Sequence, residues 1–264
     1  MDSHSKPETG FYVLDRDHAR EPQSRTLEAL SGASAYNDWI FSVFAEFIGD
    51  RALEIGCGTG NLTRHLLEKA REVTAIDIDA EYLRVLSRTV RVPEGHALTV
   101  RNQNFLEDMT NLAGFDSIVL INVLEHFAEP EEALRRIYAA LVPGGRAIVL
   151  VPAFNFLFSR FDELIGHHRR YTLRALASEL TSAGFSIKKN VYFNFFGMAG
   201  WWWRFCVLKK EYLNTSSVWF FEALTPLLRA VESAVRLPVG LSVIAIGEKP
   251  LREATGIARA GYSA

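Results

Sequence analysis

Arg51–Asn61, RALEIGCGTGN, decides the fold. An apolar strand (Ala52, Leu53, Ile55) runs into Gly56-Cys57-Gly58-Thr59-Gly60, and Asn61 to about Lys69 reads as a helix. Glycines at a strand-to-helix turn permit tight backbone geometry and let a ligand lie against the main chain. The helix start offers free N–H groups to a polar or negative ligand. Seventeen positions after Gly60, the apolar segment Val73–Ile76 ends at Asp77. An acid at such a strand end accepts hydrogen bonds from ribose hydroxyls. The combination points to a nucleoside-containing cofactor.

The spacing is G-x-G-x-G rather than the G-x-G-x-x-G of dinucleotide enzymes, and Glu54 stands two residues before the first glycine. A carboxylate there opposes a pyrophosphate and favours a ligand with an ammonium and a sulfonium, which argues against a nicotinamide oxidoreductase. Glu54–Gly60, EIGCGTG, resembles the first motif of class I S-adenosylmethionine (SAM) methyltransferases. Asp77 resembles that family's ribose-binding acid. Asp116 in FDSIVL, Asn122 in INVLEHF and Pro143-Gly144-Gly145 resemble its later landmarks, in the same order. The resemblance implies SAM as cofactor and S-adenosylhomocysteine as product. Its cofactor contacts would be Glu54, Gly56, Cys57, Gly58, Gly60, Asp77, Ile78, Asn104, Phe105 and Asn122. Gln103 competes with Asn104 for the adenine contact, and Phe105 has the core as its alternative place.

Outward from the motif, strands alternate with helices. Strands are expected at Glu72–Asp77, Ala97–Arg101, Phe115–Ile121 and Arg146–Val151, and helices at Ala80–Thr89 and Pro130–Leu141. Asp79 suits an N-cap, Pro130 a first helical turn, and Pro143-Gly144-Gly145 a helix stop. Nearly continuous apolar strands imply a parallel sheet covered on both faces. Right-handed crossovers then bring Gly56, Asp77 and Asn122 to one sheet edge. Thr172–Ala183 reads as a helix, and Phe185–Phe193 and Leu241–Gly247 as two last strands. The resemblance makes these an antiparallel pair completing a Rossmann-like, doubly wound seven-stranded sheet, parallel with one antiparallel strand. Residues 1–25 read as a flexible arm and 26–264 as a single domain, with a helical, aromatic-rich insertion at 196–238.

The composition, 48% hydrophobic and 23% charged over 264 residues with net charge −2, fits one globular domain. No basic excess points to nucleic acid. Cys57 and Cys206 form no CxxC pair, the N-terminus lacks a signal-peptide pattern, and no apolar run reaches the roughly 20 residues of a membrane span. A cytoplasmic setting is expected.

Acceptor chemistry is expected beyond the fourth and fifth strands. His126 in LEHF and His167 in DELIGHHRRYT are the candidate proton acceptors, His167 the stronger. The latter segment resembles a GH-x-RRYT pattern found in a bacterial branch of the same superfamily. Arg169 or Arg170 suits an anionic group of the acceptor and Tyr171 is a candidate acceptor contact, the alternative being a loop packed by Tyr171 with solvated arginines. Glu125, His126, His167 and His168 offer metal-ligand atoms, but adjacent histidines on a loop rarely converge, and no metal site is assigned.

Residues 191–221 contain twelve aromatics, Trp201-Trp202-Trp203 among them. With Phe154, Trp202 is expected to line an apolar acceptor pocket. Tyr36, upstream of the glycine motif, suits a lid over the cofactor. Thr225 and Pro226 read as the cap and first turn of a helix. The expected reaction is methyl transfer to a hydrophobic or aromatic small molecule in specialised or lipid-related biosynthesis. A repurposed noncatalytic partner or cyclase stands as the alternative. Arg204, Lys209 and Lys210 beside the aromatics are compatible with peripheral membrane contact, and the aromatic face with a homo-oligomer interface.

Overall fold

The computed structural model describes residues 33–210, 215–235 and 237–251. The N-terminal arm lies outside these residues, as does the first part of Thr26–Ile48, which the sequence pattern reads as helical with a break near Ser31-Gly32.

Seven strands form one sheet in the order β3-β2-β1-β4-β5-β7-β6. They are β1 (Arg51–Ile55), β2 (Glu72–Asp77), β3 (Ala97–Asn102), β4 (Phe115–Ile121), β5 (Leu141–Pro152), β6 (Ser186–Phe193) and β7 (Ser242–Glu248). The pairs from β3 across to β5 are parallel, while β7 runs antiparallel to both β5 and β6. The expected seven-stranded, doubly wound sheet is therefore observed, with β7 as its one reversed strand. β1 leads to β2 on one side and has β4 on the other, so the chain reverses direction of travel across the sheet at β1/β4. A crevice opens at such a switch point, outside the strand C-termini.

Strand periodicity divides the core. Leu53 and Ile55 face one layer, with Ile118, Leu120, and Leu134 and Ile137 of α4 (Pro130–Ala140) and Leu176 and Leu180 of α6 (Leu173–Ser182). Ala52 faces the other, with Trp39, Ile40 and Phe44 of α1 (Ser34–Phe44) and with Leu62 and Leu66. Alternation thus puts Glu54 on the α1 side, next to the short α2 (Thr63–Leu66). Asp79 caps α3 (Ala80–Thr89) by accepting from the Glu81 N–H, and Thr172 caps α6 by accepting from Ala175.

Three local expectations are corrected. The helix after the glycines spans only Thr63–Leu66, because turns with i−3 bonds, such as His65 N–H to Leu62 O, flank it. Pro143-Gly144-Gly145 lies within β5, which begins at Leu141 with a register shift against β4; Gly144 at φ +81° takes up the bend. Pro226 does not begin a helix but lies inside α8 (Thr215–Ala234). The Thr225 hydroxyl donates back to the Phe221 carbonyl within the helix instead of capping it.

The insertion between β6 and β7 comprises α7 (Phe195–Trp201), a π-helical segment (Trp202–Val207) and α8. α8 fixes two helix starts with carboxylates. Glu222 accepts from the Ala35 and Tyr36 N–H groups of α1, which has no side-chain cap of its own. Glu232 accepts from Asn194 and Phe195 at the start of α7, at 3.1 and 2.7 Å. Glu222→Ala is expected to destabilise the chain by about 1–2 kcal/mol, the cost of a lost cap. A urea midpoint equal to that of the parent would refute this role.

Candidate active site

The glycine turn is tied to the neighbouring strand end. Gly56 and Cys57 N–H both donate to the Ile76 carbonyl, at 2.9 and 3.1 Å. Gly58 N–H donates to Asp77 Oδ2 and Asp79 N–H to Asp77 Oδ1, both at 2.8 Å. One carboxylate therefore clamps the loop after β1 to the loop after β2. Gly58 holds φ +51° and Gly56 φ +72°, the left-handed region. A Cβ on Gly56 would come within 2.5 Å of Val123 Cγ2. The glycine turn therefore lies directly against the loop that follows β4.

Glu54 is 4% exposed and accepts the Thr63 hydroxyl at 2.5 Å. Burial pushes its carboxyl up to about 8, against the pull of the Thr63 bond and helped by the negative Asp77. Asp77 is itself raised by burial, partly offset by the Asp79 and Gly58 N–H bonds. The Thr59 hydroxyl is buried with no hydrogen-bond partner. Two buried acids, an orphaned hydroxyl and an open backbone turn form a site that a cation with polar edges would satisfy. Cys57 is a buried thiol whose pKa burial drives upward.

Other expected cofactor residues are placed as follows. Ile78 is 75% exposed directly beyond Asp77. Asn122 is exposed in the left-handed region, at φ +55°, with its N–H on the Leu150 carbonyl. Asn104 accepts from the Leu106 N–H, and Gln103 donates to the Asp108 carbonyl, so both side chains also hold this loop. Phe105 is 3% exposed and belongs to the core cluster that includes Leu53 and Ile76, the alternative place the sequence offers it.

Two loops meet beyond the C-terminal ends of β4 and β5. Leu124–His126 follows β4; the other begins with α5 (Arg160–Leu164) and runs on to Tyr171. Asp162 organises the second. Its Oδ2 accepts from the Ser159 N–H and hydroxyl, both at 2.9 Å, a capping box at the start of α5. Its Oδ1 accepts from His167 Nδ1–H at 3.0 Å and from Arg170 Nε at 2.9 Å. Burial pushes the Asp162 carboxyl up, but the His167 bond and the Arg170 charge outweigh it and hold it low. His168 N–H donates to the Glu125 carbonyl at 2.9 Å and joins the loops. His126 Nδ1–H donates to the Gly166 carbonyl at 3.2 Å. The His126 and His167 rings meet edge to face, 4.6 Å apart. Burial drives His126 down to about 3 and lowers His167 as well. Glu125 is fully buried, and burial raises its carboxyl to about 8.

The expected acceptor contacts divide. Phe154, at φ +60°, stacks on Tyr192 with centroids 4.8 Å apart, and Trp202 is 48% exposed. Tyr171 is 2% exposed in the core, and Arg169 donates to the Ala128 carbonyl at 2.6 Å. Tyr36 is held among Trp39, Phe193 and Phe221, with its hydroxyl accepting from Asn194, so it serves as packing between α1 and α8. Asp162 and Thr59 are not among the residues singled out from the sequence, and Glu125 enters there only among metal-ligand atoms to which no site is assigned. Ser159-x-x-Asp162, the capping-box spacing, is the signal that marks Asp162.

Fold and site together define a Rossmann-like methyltransferase architecture with a nucleoside-type turn at its switch point. Residues 53–147 match the family described as "Methyltransferase domain", and this segment holds the glycine turn, Asp77 and the β4 loop. The chain therefore contains a segment, residues 53–147, that is similar to methyltransferase domains, and its sequence relatives are named as methyltransferases. It is 31% identical over 113 residues to a ubiquinone biosynthesis O-methyltransferase of Aeromonas salmonicida, covering 42% of this chain and 47% of that protein. It is 33% identical over 127 residues to a malonyl-[acyl-carrier protein] O-methyltransferase of Haemophilus ducreyi, covering 47% and 48%. The chain thus spans about half the length of these curated relatives. A Haemonchus contortus phosphoethanolamine N-methyltransferase 2, solved with SAM, shares the fold at TM-score 0.61 and 17% identity, over 89% of this chain and 60% of that one.

Proposed function

We propose that this protein binds SAM and transfers its methyl group to an oxygen of a hydrophobic or aromatic small molecule. The observation that carries the reading is the glycine turn clamped by Asp77 beside the buried Glu54. Gly56, Gly58 and Asp77 would hold the nucleoside part, Ile78 would cover the adenine, and Glu54 would balance the positive methionine end. When bound, SAM supplies a methyl group on a sulfonium that is already a good leaving group. The chain's own task is then to place an acceptor and exclude water. His126 and His167 serve the acceptor end, beyond the β4 loop that touches Gly56. The names of the two sequence relatives, both O-methyltransferases, support an oxygen acceptor.

A hydrophobic acceptor is supported by the surface of the insertion, where Trp202, Trp203, Trp219 and Phe220 are 48%, 56%, 71% and 62% exposed. No helix among the described residues is long and apolar enough to cross a membrane. The two free cysteines support a reducing, cytoplasmic setting.

Calorimetry with S-adenosylhomocysteine tests the cofactor; absence of binding overturns the reading. Labelled methyl transfer into organic extracts tests the reaction. Tight cofactor binding with no transfer to any extract would instead favour a repurposed, nonmethylating protein. Co-sedimentation with liposomes, repeated with Trp202 and Trp203 changed to Ser, shows whether the aromatic face docks on lipid.

A further inference from the structure

We propose that Glu125, His126 and His167 form a binding site for one divalent transition-metal ion. One ligand atom from each lies within 4.8 Å of the others. Both carboxylate oxygens of Glu125 are buried without any hydrogen-bond partner, in a residue of 0% exposure. A buried carboxylate left in that state is costly, and native interiors rarely tolerate it. His167 Nε2 stands 3.6 Å from Glu125 Oε1, beyond hydrogen-bond range, and the Arg170 charge acts on the carboxyl without a hydrogen bond to it.

The histidines are prepared as ligands. A carbonyl only accepts, so His126 presents Nδ1–H to Gly166. Asp162, already paired with Arg170, accepts from His167 Nδ1–H. Each imidazole therefore keeps its Nε2 lone pair, and in His167 that lone pair is on the Glu125 side. Orientation of a ligand histidine through its other nitrogen by a carbonyl or carboxylate is the usual outer arrangement of a metal site. Two imidazoles and one carboxylate suit zinc, and equally iron, cobalt or manganese in the divalent state. Three protein ligands leave a position open. Bonds of about 2.1 Å hold tetrahedral ligands about 3.4 Å apart, so the His167–Glu125 pair needs almost no movement and the rest of the set contracts by roughly 1 Å. Neighbouring histidines on a loop ordinarily diverge. Here His168 does diverge and is exposed, while the partner of His167 comes from the loop 41 positions earlier.

The site stands without the methyl-transfer reading; its use rests on it. The open position suits an ionisable oxygen of the acceptor, which selects hydroxyl- or carboxyl-bearing molecules.

The test uses the full chain, stripped with chelator and titrated with Co²⁺, whose visible absorption reports coordination directly. One ion per chain with intense low-symmetry bands is expected, and Zn²⁺ should displace it. Glu125→Gln and His167→Ala should each weaken binding at least 100-fold. Asp162→Asn should weaken it 10–100-fold, as for an orienting residue. His168→Ala should bind like the parent. Thermal melts without metal identify any variant that fails to fold, and the remaining variants then decide. A spectrum like aqueous Co²⁺, or parent-like binding by the folded Glu125→Gln and His167→Ala variants, overturns the proposal. S-adenosylhomocysteine binding to the same stripped protein separates the two claims. Cofactor binding without metal removes only the ion, and metal binding without cofactor removes only the methyltransferase reading.

Discussion

Replacing Asp77 with alanine should lower affinity for S-adenosylhomocysteine about 100-fold or more. The geometry gives the residue two tasks. It accepts the Gly58 and Asp79 N–H groups, one oxygen each, and so sets the separation of the β1 and β2 loops. Its remaining lone pairs are proposed to take the ribose hydroxyls. Loss of two charged hydrogen bonds to the ligand costs about 3 kcal/mol or more, which is at least a hundredfold in Kd. The alanine also leaves the Gly58 N–H, in a turn at φ +51°, without its acceptor, so the glycine turn loosens. Asp77→Asn separates the tasks. Its single carbonyl oxygen can satisfy one loop N–H, but its amide cannot accept at the second. It should fold better than the alanine variant yet still bind at least tenfold more weakly than the parent. Calorimetry and thermal melts on both variants check this. Parent-like affinity in the alanine variant would remove Asp77 from the cofactor site.

The glycine turn and its Asp77 clamp were legible because they occupy a short piece of chain. Gly56, Gly58 and Gly60 must relieve backbone crowding, Glu54 must precede them on the strand, and Asp77 must end the next strand. All of this lies within 24 consecutive residues and follows the local pleat. The sheet was legible for a related reason, since continuous apolar strands between amphipathic helices allow few arrangements. The acceptor half was not. Whether His126 and His167 diverge or meet depends on how the loops after β4 and β5 dock, and their contacts span about 40 residues. Histidines and a glutamate in a sequence do not reveal that Glu125 is buried without partners. Pro226 was misplaced because a Thr-Pro pair fits a helix start as well as a helix interior. Only the packing of α8 on α1, with Glu222 reaching the Ala35 and Tyr36 N–H groups, decides between them. Tyr36 shows the same limit, since its ring became part of that packing.

Arg170→Met is the substitution expected to destabilise the chain most. The Arg170 side chain is 1% exposed and that of Asp162 0%, with Nη2 2.8 Å from Oδ1. The guanidinium also lies over the Trp201 ring, 4.7 Å from its centroid, and donates to the Ala153 carbonyl. Removing one member of a buried pair strands the other charge, which typically costs about 3–5 kcal/mol. For a chain of this size that is a fall in Tm of roughly 10 °C. The stranded group is Asp162, which retains His167 and Ser159 as partners, so the loss should fall at the lower end of that range. Asp162→Asn in the same chain removes the uncompensated charge, and the double variant should regain at least half of the lost stability. The double-mutant cycle then measures the coupling of the pair itself. Within it, Asp162→Asn alone leaves Arg170 buried without a counter-charge and should cost as much as Arg170→Met. A single Arg170→Met variant melting within 2 °C of the parent would show that this pair does not hold the loop, and that the orientation of His167 has another source.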